Sequence, residues 1–234
     1  MAAICRLWIC CYVFIITFSV KTTLSFSRKV IPRARYILLC ILSDKDLQQF
    51  HGEGTRLSGH PPVRGIPEIG FATGSLGHGL GLAAGVALGK RLQSQNGRTY
   101  CLTSDGEWNE GSCWESLIFL SHHSLDVTIL VDNNGLQGFG ATKDVSGLDS
   151  LHKRFRAFGV DTQEIDGHNF IAIETALRRA PNGPRVIVAK TVKGCGVSFM
   201  ENRMEWHYLP MTKDQYLQAI SEVTPQCATS SAAH

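Results

Sequence analysis

Charge is scarce in this 234-residue sequence: 18% of its residues are Asp, Glu, Lys or Arg, below the usual quarter. Proline is scarce too, with 8 residues against 23 glycines. These shortages exclude a disordered chain, a collagen-like repeat and a coiled coil. The 23 Lys and Arg residues are scattered and the formal charge is only +3, so no basic stripe for nucleic acid is present. There is no CxxC pair among the eight cysteines, which removes the usual zinc spacing. Cys40, Cys101, Cys113, Cys195 and Cys227 are dispersed and read as reduced thiols of a cytoplasmic protein.

A long apolar run is missing as well. Leu7 to Val20, between Arg6 and Lys21, counts 14 residues, whereas a membrane span needs about 20. Its length fits the apolar region of a signal peptide, without a clear small-residue cleavage pattern. Residues 1–35 are therefore set apart as an atypical leader. It is read first as a segment foreign to the domain, next as a targeting or anchoring element, and last as a core strand.

From Arg98 onward the sequence alternates between two periods. Arg98–Thr103, Val127–Val131, Val160–Ile165 and Arg185–Thr191 read as strands. VTILV is apolar without interruption, as expected of a strand covered on both faces. Ser112–Ser121, Leu148–Phe158, Asn169–Arg179 and Thr212–Ile220 have the helical period. Trp114, Leu117, Ile118 and Leu120 are expected on the apolar side of the first, and Thr212 as N-cap of the last. Such alternation predicts an α/β fold, a parallel sheet with helices on both faces. Ligands on such sheets bind beyond the carboxyl ends of the strands. The domain is expected over residues 36–222, with 223–234 as a frayed tail.

Upstream, Gly77, Gly81, Gly85 and Gly89 recur every four residues. On a helix they form a stripe that another backbone can approach closely. Neither GxGxxG nor a lysine-containing phosphate loop occurs.

The chemistry concentrates after two strands. Ser104-Asp105-Gly106-Glu107-Trp108-Asn109-Glu110-Gly111 follows the first, and Asp132-Asn133-Asn134-Gly135-Leu136-Gln137 follows the second. Asp-Gly and Asn-Gly are ordinary turn formers. Together, at adjacent strand ends, the Asp105 carboxylate, the Asn134 amide oxygen and a backbone carbonyl beyond it form a hard-oxygen set for magnesium, with positions left for phosphate oxygens and water.

These motifs resemble the thiamine-diphosphate signature, and the chain from about Tyr36 to Ile220 resembles the amino-terminal, diphosphate-binding half or subunit of transketolase. The resemblance rests on SGHP at Ser58–Pro61, TGSLGHG at Thr73–Gly79, DGEWNEGSCWE at Asp105–Glu115, VDNNGLQ at Val131–Gln137, KTVKGCGVSFMEN at Lys190–Asn202 and the Trp206-His207 pair. It implies that Asp105, Asn134 and the carbonyl of Leu136 hold the metal. It implies that backbone amides at Gly106 and Glu107 approach the diphosphate, and that Gly74, Ser75 and Leu76 lie against the cofactor rings. His60 and His207 would line the substrate and diphosphate side of the cleft as catalytic candidates, and Glu110 and Glu115 would lie near a subunit interface. His122, His123 and His152 are expected at the surface or in packing.

Three departures accompany the match. Ser104 stands where the family usually has glycine, no Gly-His-Ala segment precedes Tyr36, and the sequence stops where a pyrimidine-binding domain would begin. The implied function is transfer of a two-carbon ketol unit from a ketose phosphate to an aldose phosphate, with thiamine diphosphate and Mg2+. The implied partner is a separate carboxyl-half subunit in a hetero-oligomer. The alternatives are another thiamine-diphosphate enzyme (deoxyxylulose-phosphate synthase or the alpha chain of a 2-oxoacid dehydrogenase) and a catalytically inactive remnant.

Overall fold

The computed structural model describes residues 14–17, 49, 52–55, 70–72, 74–148, 150–179 and 182–229. The described elements begin with strand β1 (Phe14–Thr17) and helix α1 (Gly79–Leu92). Strand β2 (Thr99–Ser104) follows, then a 3-10 turn (Gly106–Asn109) and helix α2 (Gly111–His122). Strand β3 (Val127–Asn133) leads into a two-stranded hairpin, β4 (Leu136–Gln137) and β5 (Gly140–Ala141). Next come helices α3 (Thr142–Ser146) and α4 (Leu151–Ala157), strand β6 (Asp161–Asp166), helix α5 (Phe170–Arg178) and strand β7 (Arg185–Lys190). A second 3-10 turn (Met204–His207) and helix α6 (Lys213–Thr229) complete the order.

The main sheet has the order β1-β2-β3-β7-β6. β2, β3, β7 and β6 are mutually parallel, with Ser104 opposite Asp132 and Asn133 opposite Lys190. That register brings the ends of β2 and β3 level, so their following loops open on one side. β7 shows how both faces are covered. Val186 and Val188 join the cluster of Leu80, Leu117, Leu120, Val127, Ile129, Val131 and Phe155 on one face. Ile187, between them, packs with Ile165 and Ala176 on the other. This strict alternation is the two-fold period of a pleated strand buried on both sides.

Several helical details differ from expectation. In α2 the buried side chains are Cys113, Leu117 and Leu120, with Trp114 packed alongside, but Ile118 is 53% exposed and faces away from the core. In α1, a Cβ at Gly81 would meet Ser116 of α2 at 3.3 Å, whereas Gly85 and Gly89 have open space. Only the first part of the glycine stripe therefore meets a neighbour, and Gly77 precedes the helix. The expected tail is helical as far as Thr229. Thr212 caps α6 reciprocally: Gln215 N donates to Thr212 Oγ1 at 3.3 Å and Thr212 N donates to Gln215 Oε1 at 2.9 Å.

Four residues of the apolar leader, Phe14–Thr17, pair antiparallel with β2, from Phe14 opposite Leu102 to Thr17 opposite Thr99. This is the strand reading of the leader, at the edge of an otherwise parallel sheet. Among the described residues no helix is long and apolar enough to cross a membrane.

Candidate functional site

Asp105 directly follows β2 and caps the 3-10 turn, only 1% exposed. Its backbone N donates to Asp132 O at 3.0 Å, which ties the β2 loop to the end of β3. Its carboxylate has three donors: Gly106 N to Oδ1 at 2.8 Å, and Gly135 N at 2.8 Å and Thr142 Oγ1 at 3.0 Å, both to Oδ2. Burial pushes this carboxyl up from its ordinary value; the Thr142, Gly135 and Gly106 hydrogen bonds pull it back, and the Asp132 carboxylate adds to the upward push.

Asn134 forms a local turn, its Oδ1 accepting from Leu136 N at 3.0 Å. The two loops singled out in the sequence are thus joined through the Asp105–Gly135 bond. Among the described residues no three His, Cys, Asp or Glu side chains cluster as a metal cage. The donor set itself fits magnesium: one buried carboxylate, one amide oxygen and one backbone carbonyl leave room for phosphate oxygens and water. A divalent cation would also offset the charge that burial disfavours.

The turn is anchored from behind by Trp108, which is fully buried. Its indole N donates to Thr103 Oγ1 at 3.1 Å, and its ring meets Trp114 and Phe155 edge-on at 5.0 and 4.4 Å. Trp114 Nε1 in turn donates to Trp108 O at 2.8 Å. A rigid aromatic cluster therefore underlies the loop.

Both amides assigned to the diphosphate have partners within the chain. Gly106 N bonds Asp105 Oδ1, and Glu107 N donates to Ser104 Oγ at 3.2 Å. Ser104, the departure from the usual glycine, is the group engaging the second amide. The Glu107 side chain is 1% exposed and accepts from Gly77 N at 2.9 Å.

Gly74, Ser75 and Leu76 lie in the segment just before α1; Leu76 is 45% exposed, and His78 Nδ1 lies 3.0 Å from Leu76 O. Glu110 and Glu115 are exposed at the start of α2 and within it. His122 ends α2 and His123 follows it, while His152 on α4 pairs with Glu164 at 3.3 Å, in keeping with surface roles.

His207 lies in the second 3-10 turn, which packs against β4. Tyr208 OH donates to Gly138 O at 3.1 Å, and a Cβ at Gly138 would stand 2.3 Å from that hydroxyl and 3.5 Å from His207 Cδ2. A side chain at Gly138 would displace the Tyr208 hydroxyl, and the contact sets His207 beside the β4–β5 hairpin. Partial burial, and then the Lys193 ammonium, hold its imidazole below the ordinary value. His60, SGHP as a whole and Thr73 lie outside the described residues.

Sequence reasoning missed Thr142, Gln137 and Lys193. Thr142 is 4% exposed and reaches Asp105 from 37 residues away, a relation without a local signal. Gln137 lies over Gly106, where a Cβ would meet its Cγ at 3.2 Å; its Oε1 accepts from Asn109 Nδ2 at 2.8 Å, and its buried Nε2 has no protein partner. Lys193 lies within KTVKG and acts on His207 by charge.

The family profile described as "Transketolase, thiamine diphosphate binding domain" matches residues 35–224. The chain is 37% identical over 180 residues to one of the named subunits of the apulose-4-phosphate transketolase of Actinobacillus succinogenes, covering 76% of this chain and 65% of that protein. It is 34% identical over 186 residues to the SqwG subunit of the 6-deoxy-6-sulfo-D-fructose transketolase of Clostridium sp. (strain MSTE9), covering 78% and 68%. The crystal structure of transketolase from Campylobacter jejuni superposes with a TM-score of 0.71 at 27% identity, covering 77% of this chain and 30% of that one. The chain thus spans less than two thirds of the Actinobacillus relative and under a third of the Campylobacter enzyme. Sequence match, parallel-sheet topology and strand-end loops agree: this chain belongs to the transketolase family and spans its thiamine-diphosphate-binding domain.

Proposed function

We propose that this chain is the cofactor-anchoring subunit of a cytoplasmic transketolase-type transferase. It would work with a separate carboxyl-half subunit to move a two-carbon ketol unit from a ketose phosphate to an aldose phosphate. The observation that carries the reading is the junction at Asp105. There one buried carboxylate gathers Gly106 after β2, Gly135 after β3 and Thr142 at the start of α3. The naming of two relatives as transketolase subunits supports the partner.

In this reading Asp105, Asn134 and the Leu136 carbonyl hold Mg2+, and the metal neutralises the diphosphate. Gly74, Ser75 and Leu76 contact the rings. When bound, thiamine diphosphate supplies the nucleophile and electron sink for carbon–carbon bond exchange. The chain supplies position and electrostatics. His207, kept neutral by partial burial and Lys193, offers an unprotonated ring nitrogen that accepts a proton from a substrate hydroxyl. His60, by the family resemblance, would orient substrate hydroxyls.

A second reading, a remnant that binds a partner without catalysis, draws on the Gly106 and Glu107 amides, both engaged within the chain. Titration with thiamine diphosphate, with and without Mg2+ and with a carboxyl-half subunit present, separates the two. Magnesium-dependent binding and ketol transfer by the mixture support the enzyme, with no transfer by this chain alone. Release of carbon dioxide from pyruvate instead would assign a different thiamine-diphosphate reaction, and no binding would favour the remnant.

A further inference from the structure

Two segments meet at one glycine. The 74–77 loop precedes α1, and the Gly106–Asn109 turn follows β2. Gly77 N donates to Glu107 Oε1 at 2.9 Å, and Gly77 O accepts from Ser112 Oγ at 3.0 Å. Both polar groups of Gly77 are therefore taken by the segment that starts at Asp105. The fit is tight: Gly77 has φ +81°, and a Cβ there would stand 2.4 Å from Ser112 Oγ and 2.7 Å from Glu110 Cβ. Glu107 itself is 1% exposed. A carboxylate so removed from water is costly unless its oxygens are hydrogen-bonded. A side chain serving only to fill this space would not need to be charged.

We propose that Glu107 is a positioning residue that fixes the ring-contacting loop Gly74–Gly77 against the diphosphate-binding turn, so that both ends of thiamine diphosphate meet a preset spacing. The inference rests on the cofactor reading above. The cofactor's diphosphate and rings are joined covalently, so their two protein platforms must stand at the matching separation before binding. Platforms that drift independently must be ordered on binding, and affinity falls accordingly. Ser112 acts on the same glycine from the carbonyl side.

The test compares two probes by titration calorimetry on the full chain mixed with the carboxyl-half subunit. Magnesium pyrophosphate reports the diphosphate anchor alone, whereas magnesium thiamine diphosphate reports both platforms. Glu107→Ala should bind thiamine diphosphate about tenfold more weakly, the scale of one lost hydrogen bond to a charged group, and should lose distinctly less for pyrophosphate, because the Glu107 backbone amide assigned to the diphosphate remains. Glu107→Gln keeps an oxygen for Gly77 N and should restore most of the difference. Ser112→Ala should shift the ratio in the same direction by a smaller factor. Equal losses for both probes, or no loss for either, would overturn the proposal by reducing Glu107 to general structural support. If Glu107→Ala does not fold, the ratio in Ser112→Ala decides on the same terms. An unmodified assembly, chain plus carboxyl-half subunit, that binds neither probe would instead overturn the cofactor reading, an outcome distinct from an unchanged ratio in an assembly that binds both.

Discussion

Thr142 donates its hydroxyl to Oδ2 of Asp105 at 3.0 Å, both groups being buried. A hydroxyl facing a carboxylate in this setting stabilises the ionised form and fixes its rotamer. Thr142→Val keeps the shape and removes the donor. It should lower stability by about 2 kcal/mol and weaken magnesium-dependent cofactor binding, while Thr142→Ser restores both. Thermal melts and calorimetry read the two effects.

Asp105→Ala should abolish magnesium-dependent binding; it also leaves the Gly106, Gly135 and Thr142 donors unpaired and should lower stability, while the backbone ladder of the sheet still forms. Asn134→Ala removes a neutral oxygen and should weaken binding less. Circular dichroism together with a thiamine diphosphate titration checks this, and unchanged affinity in Asp105→Ala would sink the metal assignment.

Trp108 provides a prediction about support rather than chemistry. Trp108→Phe loses the bond to Thr103 Oγ1 and should cost about 1 kcal/mol, whereas Trp108→Ala should cost roughly 3–5 kcal/mol. Urea midpoints give the order. A cofactor affinity that falls faster than stability would mark the aromatic cluster as the platform of the turn.

The pH dependence of His207 has a definite sign. Its folded value lies below the ordinary one, so the unfolded chain takes up a proton first as pH falls. The folded state then loses stability below about pH 6.5 and gains nothing above it. His207→Gln removes that contribution. Urea midpoints measured between pH 7 and pH 5 should fall less steeply in the variant.

Burial pushes the Cys113 thiol up to about 12, and the Cys101 thiol further still. Cys195 is exposed. Iodoacetamide at neutral pH should therefore label Cys195 and spare Cys101 and Cys113 until the chain unfolds. Mass spectrometry of the digested protein assigns the sites.

The sequence made the sheet legible because β3 and β7 carry short, mostly apolar runs rich in β-branched residues. VTILV and RVIVAK could be read as buried on both faces without knowing their neighbours. The two loops after β2 and β3 were legible because Asp105 and Asn134 directly follow the strands, where topology alone brings them together. Ile118 misled because helical spacing marks a stripe, and the width of that stripe depends on what packs above it. The Thr142–Asp105 and Glu107–Gly77 bonds were hidden for another reason. They span 37 and 30 residues and join ordinary residue types, so no local pattern distinguishes them from solvent-facing polar groups. The β1 pairing was obscured because a short apolar run fits a strand, a signal or an unrelated leader equally well.

The Tyr208–Gly138 contact has a consequence for how the protein loses function on warming. After β7 ends at Lys190, roughly eighteen residues must loop back before Tyr208 can reach Gly138. Closing a flexible loop of that length costs about 3 kcal/mol, while one phenol–carbonyl bond returns about 1 kcal/mol. The difference comes from the small apolar cluster of Val197, Met200 and Ala219, with Phe199 and Trp206 packed on it, and from bonds within the arm such as Trp206 Nε1 to Phe199 O. That cluster is separate from those of the sheet, so the arm carrying His207 has its own melting equilibrium. Heat should release it while the strands still hold, and a trimmed side chain at Met200 should free the turn that carries His207 with the sheet still folded.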